Sequence, residues 1–190
     1  MSYSTHLSPE IYREEFERYR SLNTPNDGGK GYILAYIMIQ LYIENHTHYF
    51  LHFLIGDGFS KPAVAGWDPQ DYIEQKLDCF KSVLDQSSIS YTPKLFNDIK
   101  TNYRYVCAVR NLLAHGHPIT ASSDNGTTTI SDAKAYLEPQ RFADITNKAN
   151  IVISGWNTLM DEVGQQETLI RNVGLPSKSF FEDCKYSSNL

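Results

Sequence analysis

The chain has few cysteines, the residues on which small disulfide-bonded or zinc-binding domains depend. Its 190 residues include three cysteines, Cys79, Cys107 and Cys184, which lie far apart and form no CxxC pair. This spacing argues against a disulfide framework and a thiolate zinc site, and it is typical of a protein in a reducing cytosol. Cys79 and Cys107 fall within helical patterns, where we expect them to be small core residues.

Long hydrophobic runs are also absent. The most apolar stretch, Tyr32 to Ile43, is roughly half of the ~20 residues that a membrane span needs, and Glu44 and Asn45 follow it directly. We therefore interpret it as a buried core helix and expect no membrane association. Residues 1–10 have neither a basic flank nor an apolar run, so no signal peptide is expected and the predicted location is the cytoplasm.

The chain lacks an excess of positive charge. Its net charge of −5 is a poor match for a protein that coats nucleic acid non-specifically. The segment from Thr92 to His117 differs, because it carries four basic side chains and one acidic side chain. Such a local basic region can attract an anionic substrate, with Lys100 and Arg104 as candidate binding residues, or it can be an ordinary solvated helix face.

Apolar periodicity and capping signals predict an all-α fold. Hydrophobic residues make up 41% of the chain, which is enough for a core. We predict an antiparallel bundle of four to five helices in a single domain spanning residues 1–190, with its core at about 32–163. A small loop or hairpin insertion is expected at 119–137, and the tail at 174–190 has a weak pattern, partly ordered through Phe180 and Phe181. The expected helices cover about 9–22, 32–55, 69–86, 93–115 and 139–163, with the third capped by Asp68 and Pro69 and with 165–173 extending the fifth or forming a short helix.

The end of the fourth helix carries the most informative residues. Arg110, Asn111 and His115 occupy its last turns, and Gly116 is expected to stop the helix directly after the histidine. A histidine moves protons near neutral pH, and an arginine can hold the charge that develops on a phosphate. Together these two side chains are sufficient for RNA cleavage without a metal ion.

The same residues also have a plain structural interpretation. A histidinium at a helix C-terminus gains about 0.3–2 kcal/mol from the helix dipole, and Arg110 would then be a surface cation. Arg110 and His115 are five residues apart, so they lie well off a common helix face. A second copy across a dimer seam would bring such groups together, which makes the motif more sensible in a dimer than in a monomer.

The run from Arg110 to Gly116, RNLLAHG, resembles the RNxxAHG signature of the HEPN family. The resemblance covers seven residues in sequence, and in architecture it extends over about Tyr32 to Val163. It implies an all-α bundle and a metal-independent endoribonuclease that needs no cofactor. It also implies a homodimer with one composite site, acting as a toxin or an antiviral defence effector with RNA as substrate and an antitoxin or regulatory protein as a further partner.

Carried over from that family, Arg110 and His115 are the expected catalytic residues, with Asn111 in support. Family members also place an acidic or polar residue on the helix that faces the motif, for which Glu44 and then Asn45 are the candidates. His117 is a further supporting candidate. It stands where some family toxins carry a tyrosine that is modified, so silencing by that modification is not expected here.

Two alternatives remain open from the sequence. A HEPN-like module without catalysis could hold a nucleotide or a protein partner in the same basic pocket, and a plain helical dimerisation protein would do neither. His48 and His52, four residues apart, are also spaced to bind zinc. No third ligand accompanies them, so packing among aromatic side chains is favoured and no metal site is predicted.

Overall fold

The structure is a computed structural model that describes residues 9–22, 29–55, 72–116, 119–123, 126–130, 132–175, 177–183, 185 and 190. The predicted all-α helical class is confirmed, because helices dominate these residues beside one small hairpin and a 3₁₀ turn at Lys134–Leu137. The helices described are α1 Pro9–Ser21, α2 Lys30–Ile55, α3 Ile73–Gln86, α4 Pro93–His115, α5 Pro139–Gly164, α6 Glu167–Asn172 and α7 Lys178–Asp183.

One predicted helix start is wrong. Helix α3 begins at Ile73 and not at Asp68–Pro69, two residues that lie outside the described ranges. Tyr72 is still extended, with φ −62° and ψ 151°, and its N–H donates to Oε1 of Gln75 over 3.0 Å. A glutamine three residues into the helix therefore caps α3 by reaching back, a local signal that competes with an Asp-Pro start.

The insertion after α4 is a two-stranded antiparallel hairpin. The sequence predicted either a loop or a hairpin here. Strand β1 covers Ile119–Ser123 and strand β2 covers Gly126–Ile130, in a register that pairs Ile119 with Ile130 and Ser123 with Gly126. Asp124 and Asn125, which connect the two strands in the sequence, lie outside the described residues. β-branched residues on both sides of the turn favour this extended pairing.

The chain divides into two compact units. The first takes in Met1–Asn45, Tyr103–Ala149 and Leu190, and its aromatic centre is Phe142 on α5. The Tyr32 ring stacks on Phe142 at 4.2 Å between centroids, and Phe16 of α1 stacks at 5.9 Å. The first half of α2 contributes to the core as predicted, with Ile39, Tyr42 and Ile43 inaccessible to solvent, although Leu34 on the same stretch is exposed.

The second unit takes in His46–Asn102 and Asn150–Asn189 and is built around Trp156. The indole stacks on Phe80, and its N–H donates to Oγ1 of Thr47 over 3.0 Å, so its polar atom is satisfied inside the core. Helix α7 orders part of the tail as expected, because Phe181 is buried. Within the described ranges, none of the helices is long and apolar enough to cross a membrane.

Candidate functional site

Helix α4 ends where the sequence predicted. Gly116 has φ +69°, and its N–H donates to the carbonyl oxygen of Leu112 over 2.8 Å. That single bond with a left-handed residue is the αL form of helix termination, which glycine adopts at no steric cost. His115 is thereby held as the last helical residue, and its side chain is exposed to solvent.

Replacing Gly116 by alanine is expected to destabilise the fold by about 1–2 kcal/mol, because a Cβ penalises the left-handed conformation. Among the described residues, a Cβ at this position would meet nothing within 4 Å, so the expected cost is backbone strain. Chemical denaturation measures the loss. The control is Gly164→Ala at the end of α5, where the added methyl reaches ordinary contact distance from Phe181 and no loss is expected. Equal stability of Gly116→Ala and the wild type would contradict the αL ending.

Arg110 lies one and a half turns before this helix end and is half-buried. Its Nε is shielded from solvent and has no hydrogen-bond partner among the described residues. Glu44 on α2, also half-buried, is the acidic side chain that acts on it. Burial raises the pKa of the Glu44 carboxyl, and the Arg110 guanidinium opposes that shift by favouring the carboxylate. The structure thus brings Arg110 and the predicted supporting residue Glu44 together.

Three residues that the sequence analysis did not assign to the site complete this cluster. Cys107 lies one turn before Arg110, and burial raises the pKa of its thiol to about 11, so the thiol stays neutral at physiological pH. Tyr103 acts on the Cys107 thiol by favouring its thiolate, and burial keeps the pKa of the Tyr103 phenol well above its usual range. Gln40 on α2 lies near the Cys107 thiol and lowers its pKa, against the larger effect of burial. Within the described residues, however, the Gln40 Nε2 makes no hydrogen bond.

A sequence signal for Gln40 was present. It is the one polar residue in the apolar run from Tyr32 to Ile43, and it precedes Glu44 by four residues, so both share one face of α2. Cys107 was expected to be a small core residue, and it is largely shielded from solvent together with Tyr103, one turn before it on α4. Their polar atoms join Arg110 and Glu44 only because α2 packs against this part of α4.

His115 is not part of this cluster. By helix geometry it lies about 140° around the axis of α4 from Arg110 and roughly 7 Å further along it. Asn111 is half-buried beside Arg110 in sequence, and Asn45 is half-buried beside Glu44. Within one chain, the arrangement therefore presents a half-buried guanidinium and a separate, accessible imidazole.

The remaining predicted site residues lie elsewhere. Arg104 is exposed on α4. Lys100 forms an ion pair with Asp78, with Nζ–Oδ distances of 2.7 and 2.9 Å. This pair partly neutralises the charge of Lys100. His117 lies outside the described residues.

Of the two α2 histidines that are spaced to bind zinc, the structure describes the side chain of His48. Nδ1 of His48 lies 3.1 Å from Nζ of Lys76, a side chain of α3 that is completely buried. The side chain of His52 lies outside the described set. Across the described residues, no group of three or more metal-ligating side chains comes together.

Comparison with known proteins identifies no relative. No family model, curated protein or solved structure matches the chain.

Proposed function

We propose that the chain is a metal-independent endoribonuclease of the HEPN type. The observation that carries the proposal is the arrangement on α4: Arg110 is half-buried and interacts electrostatically with Glu44, and His115 is accessible at the glycine-capped end of the same helix. The Glu44 carboxylate attracts the guanidinium electrostatically, and an exposed imidazole can reach a substrate. Arginine for phosphate charge and histidine for proton transfer are the two functions that metal-free RNA cleavage requires.

The proposed reaction is transesterification within the RNA strand. A neutral His115 removes the proton of a ribose 2′-OH, and the 2′ oxygen attacks the adjacent phosphorus. The bond from phosphorus to the 5′ oxygen of the next nucleotide breaks, and a protonated histidine supplies the proton to that leaving oxygen. The products are a 2′,3′-cyclic phosphate and a free 5′-OH, while Arg110 stabilises the charge on the pentacoordinate phosphorane.

The spacing of the motif favours a homodimer as the active form. One chain has a single His115, and it points away from the Arg110 side of the helix by about 140°. Two chains that meet at the ends of their α4 helices would supply one histidine as base and the other as acid. Activity per chain is then expected to fall on dilution below the dimer dissociation constant.

The charge distribution favours a narrow site over broad RNA binding. The net charge of −5 disfavours broad contact with a polyanion, whereas α4 carries four basic side chains and one acidic side chain. An enzyme with such a narrow RNA site is consistent with a cytoplasmic toxin or antiviral defence effector. An antitoxin or another regulatory protein would then inhibit it.

The test is incubation of the purified chain with total RNA in EDTA. We expect cleavage, with 2′,3′-cyclic phosphate and 5′-OH ends identified by end-labelling before and after treatment with a phosphatase that opens the cyclic ester. Cleavage that depends on added divalent metal, or products with 3′-OH ends, would rule out the proposed reaction.

A binding module without catalysis is the second candidate. The electrostatic interaction between Arg110 and Glu44 favours it, because an arginine whose charge is partly offset by a nearby carboxylate can have a structural role and also line a nucleotide or protein site. Such a module would show a ligand-dependent rise in Tm and no RNA cleavage.

A further inference from the structure

One face of α4 carries the accessible histidine together with a second arginine. Arg104 and His115 are both exposed, and Asn111 between them is half-buried. By helix geometry, Asn111 and His115 each lie within about 20° of Arg104 around the helix axis, roughly 10 and 16 Å further along it. All three belong to the part of α4 that lies in the first unit. Arg104 therefore shares a face with His115, whereas Arg110 lies about 140° away from that histidine.

The charge of this part of α4 is positive. From Tyr103 to His115 the sequence contains two arginines and no aspartate or glutamate, in a chain whose net charge is −5. Lys100, about one turn before Arg104, differs because its ammonium is already paired with Asp78. An anion that approaches this segment from the solvent is therefore attracted to the exposed Arg104 guanidinium.

The helix dipole makes an anchor away from His115 useful to a phosphate ligand. The C-terminal end of α4 carries a partial negative charge, which disfavours an anion beside the last helical residue, His115. That effect falls off within the last turn, and Arg104 lies about three turns earlier. An arginine there can bind a phosphate with two parallel hydrogen bonds. Binding energy from such a remote phosphate can hold the reacting ribose beside His115.

We propose that Arg104, Asn111 and His115 form a binding track for single-stranded RNA, on which Arg104 binds a phosphate to one side of the cleaved bond. The strand is single because the 2′-OH must align with the breaking bond, which base pairing in an A-form helix disfavours. A stacked strand advances about 3.4 Å per nucleotide, so roughly 16 Å corresponds to at most about five nucleotides. The Asn111 amide lies between the two ends and can donate to a ribose or phosphate oxygen. The assignment of RNA as substrate rests on the proposed function, whereas phosphate binding at Arg104 is testable without cleavage.

The experiment is fluorescence anisotropy with a labelled DNA strand of about eight nucleotides, which has the phosphates but no 2′-OH to cleave. In Arg104→Gln we expect Kd to rise about tenfold, the usual effect of losing a charge-assisted hydrogen bond. The slope of log Kd against log salt concentration should fall by about 0.7, the share of one phosphate contact. Arg104→Lys keeps the charge and should keep the slope. The matched control is Arg141→Gln, at an exposed arginine of α5, which removes the same charge from the same unit and should leave the slope unchanged.

Cleavage of strands that contain a single ribonucleotide tests the same phosphate during the reaction. A dinucleotide has no phosphate that reaches Arg104, so the wild type and Arg104→Gln should cleave it equally. Adding about five deoxynucleotides on the correct side of the cleaved bond should raise kcat/KM about tenfold in the wild type and not in Arg104→Gln.

The two measurements separate this inference from the proposed function. A salt slope that falls in Arg104→Gln alone, in a chain that cleaves no RNA, supports the track and overturns the nuclease. The track is overturned if the wild type does not bind the strand or if Arg104→Gln keeps the wild-type slope. An equal fall in Arg141→Gln also overturns it, because the loss then comes from the overall charge and not from a phosphate held at Arg104.

Discussion

Replacing His115 by alanine is expected to reduce RNA cleavage about 10²–10⁴-fold, the contribution that a positioned general acid or base makes. In the proposed dimer the substitution removes both the base and the acid at once, so the upper part of that range is expected. His115 is exposed at the end of α4, and its loss leaves no cavity. The measurement is the initial rate with total RNA in EDTA, beside the Tm of each chain.

His115→Gln provides the matched control for this variant. Glutamine keeps a polar side chain that can hydrogen-bond at the helix end, but it cannot transfer a proton near neutral pH. We expect it to be as inactive as His115→Ala, with a Tm close to that of the wild type. A folded alanine variant that retains full cleavage would remove His115 from the mechanism. Recovery of activity in the glutamine variant alone would reduce the role of His115 to substrate binding.

Arg110→Lys is expected to lower kcat about 10²–10³-fold, the usual cost of losing one donor aimed at a developing oxyanion. Lysine keeps the positive charge beside Glu44, so the buried carboxylate is not left uncompensated. It lacks the planar fork that binds two phosphate oxygens at once and the Nε that lies buried in the cluster. Because that fork acts most strongly in the transition state, KM should change much less than kcat.

The control for this variant is Arg171→Lys on α6, the same substitution at an exposed arginine paired with Glu167. It should cleave RNA at the wild-type rate. If Arg110→Lys also retains wild-type kcat, a point charge is enough at this position and transition-state stabilisation by the guanidinium is refuted. A loss confined to KM would instead place Arg110 in ground-state binding, as the binding-module alternative requires.

Local signals predicted the helices well. Pro93 begins α4 and Pro139 begins α5 as expected, since proline fits the first helical turn and few other helical positions. The wrong start predicted for α3 also came from a local capping signal. Both the Asp-Pro pair and Gln75 are plausible capping signals, and the sequence contains no measure of which one prevails.

The sequence identified only part of the candidate site. Arg110, Asn111 and His115 form a short motif next to a glycine, so a few consecutive residues identify them. In the sequence, the spacing of Gln40, Tyr103 and Cys107 shows only that they lie on buried faces of helices. Periodicity shows which face of a helix is buried, but it does not show which buried polar atoms meet across two helices.

The sequence by itself determined the all-α class, the ending of α4 at Gly116 and the presence of an arginine and a histidine there. These depend on residues within one or two helical turns of each other. Only the tertiary structure decided that Gln40 and Glu44 of α2 lie against Cys107 and Arg110 of α4, and that burial raises the pKa of Glu44. Segments far apart in the chain meet through the packing of a whole core, and that packing sets the solvent exposure that controls each charge.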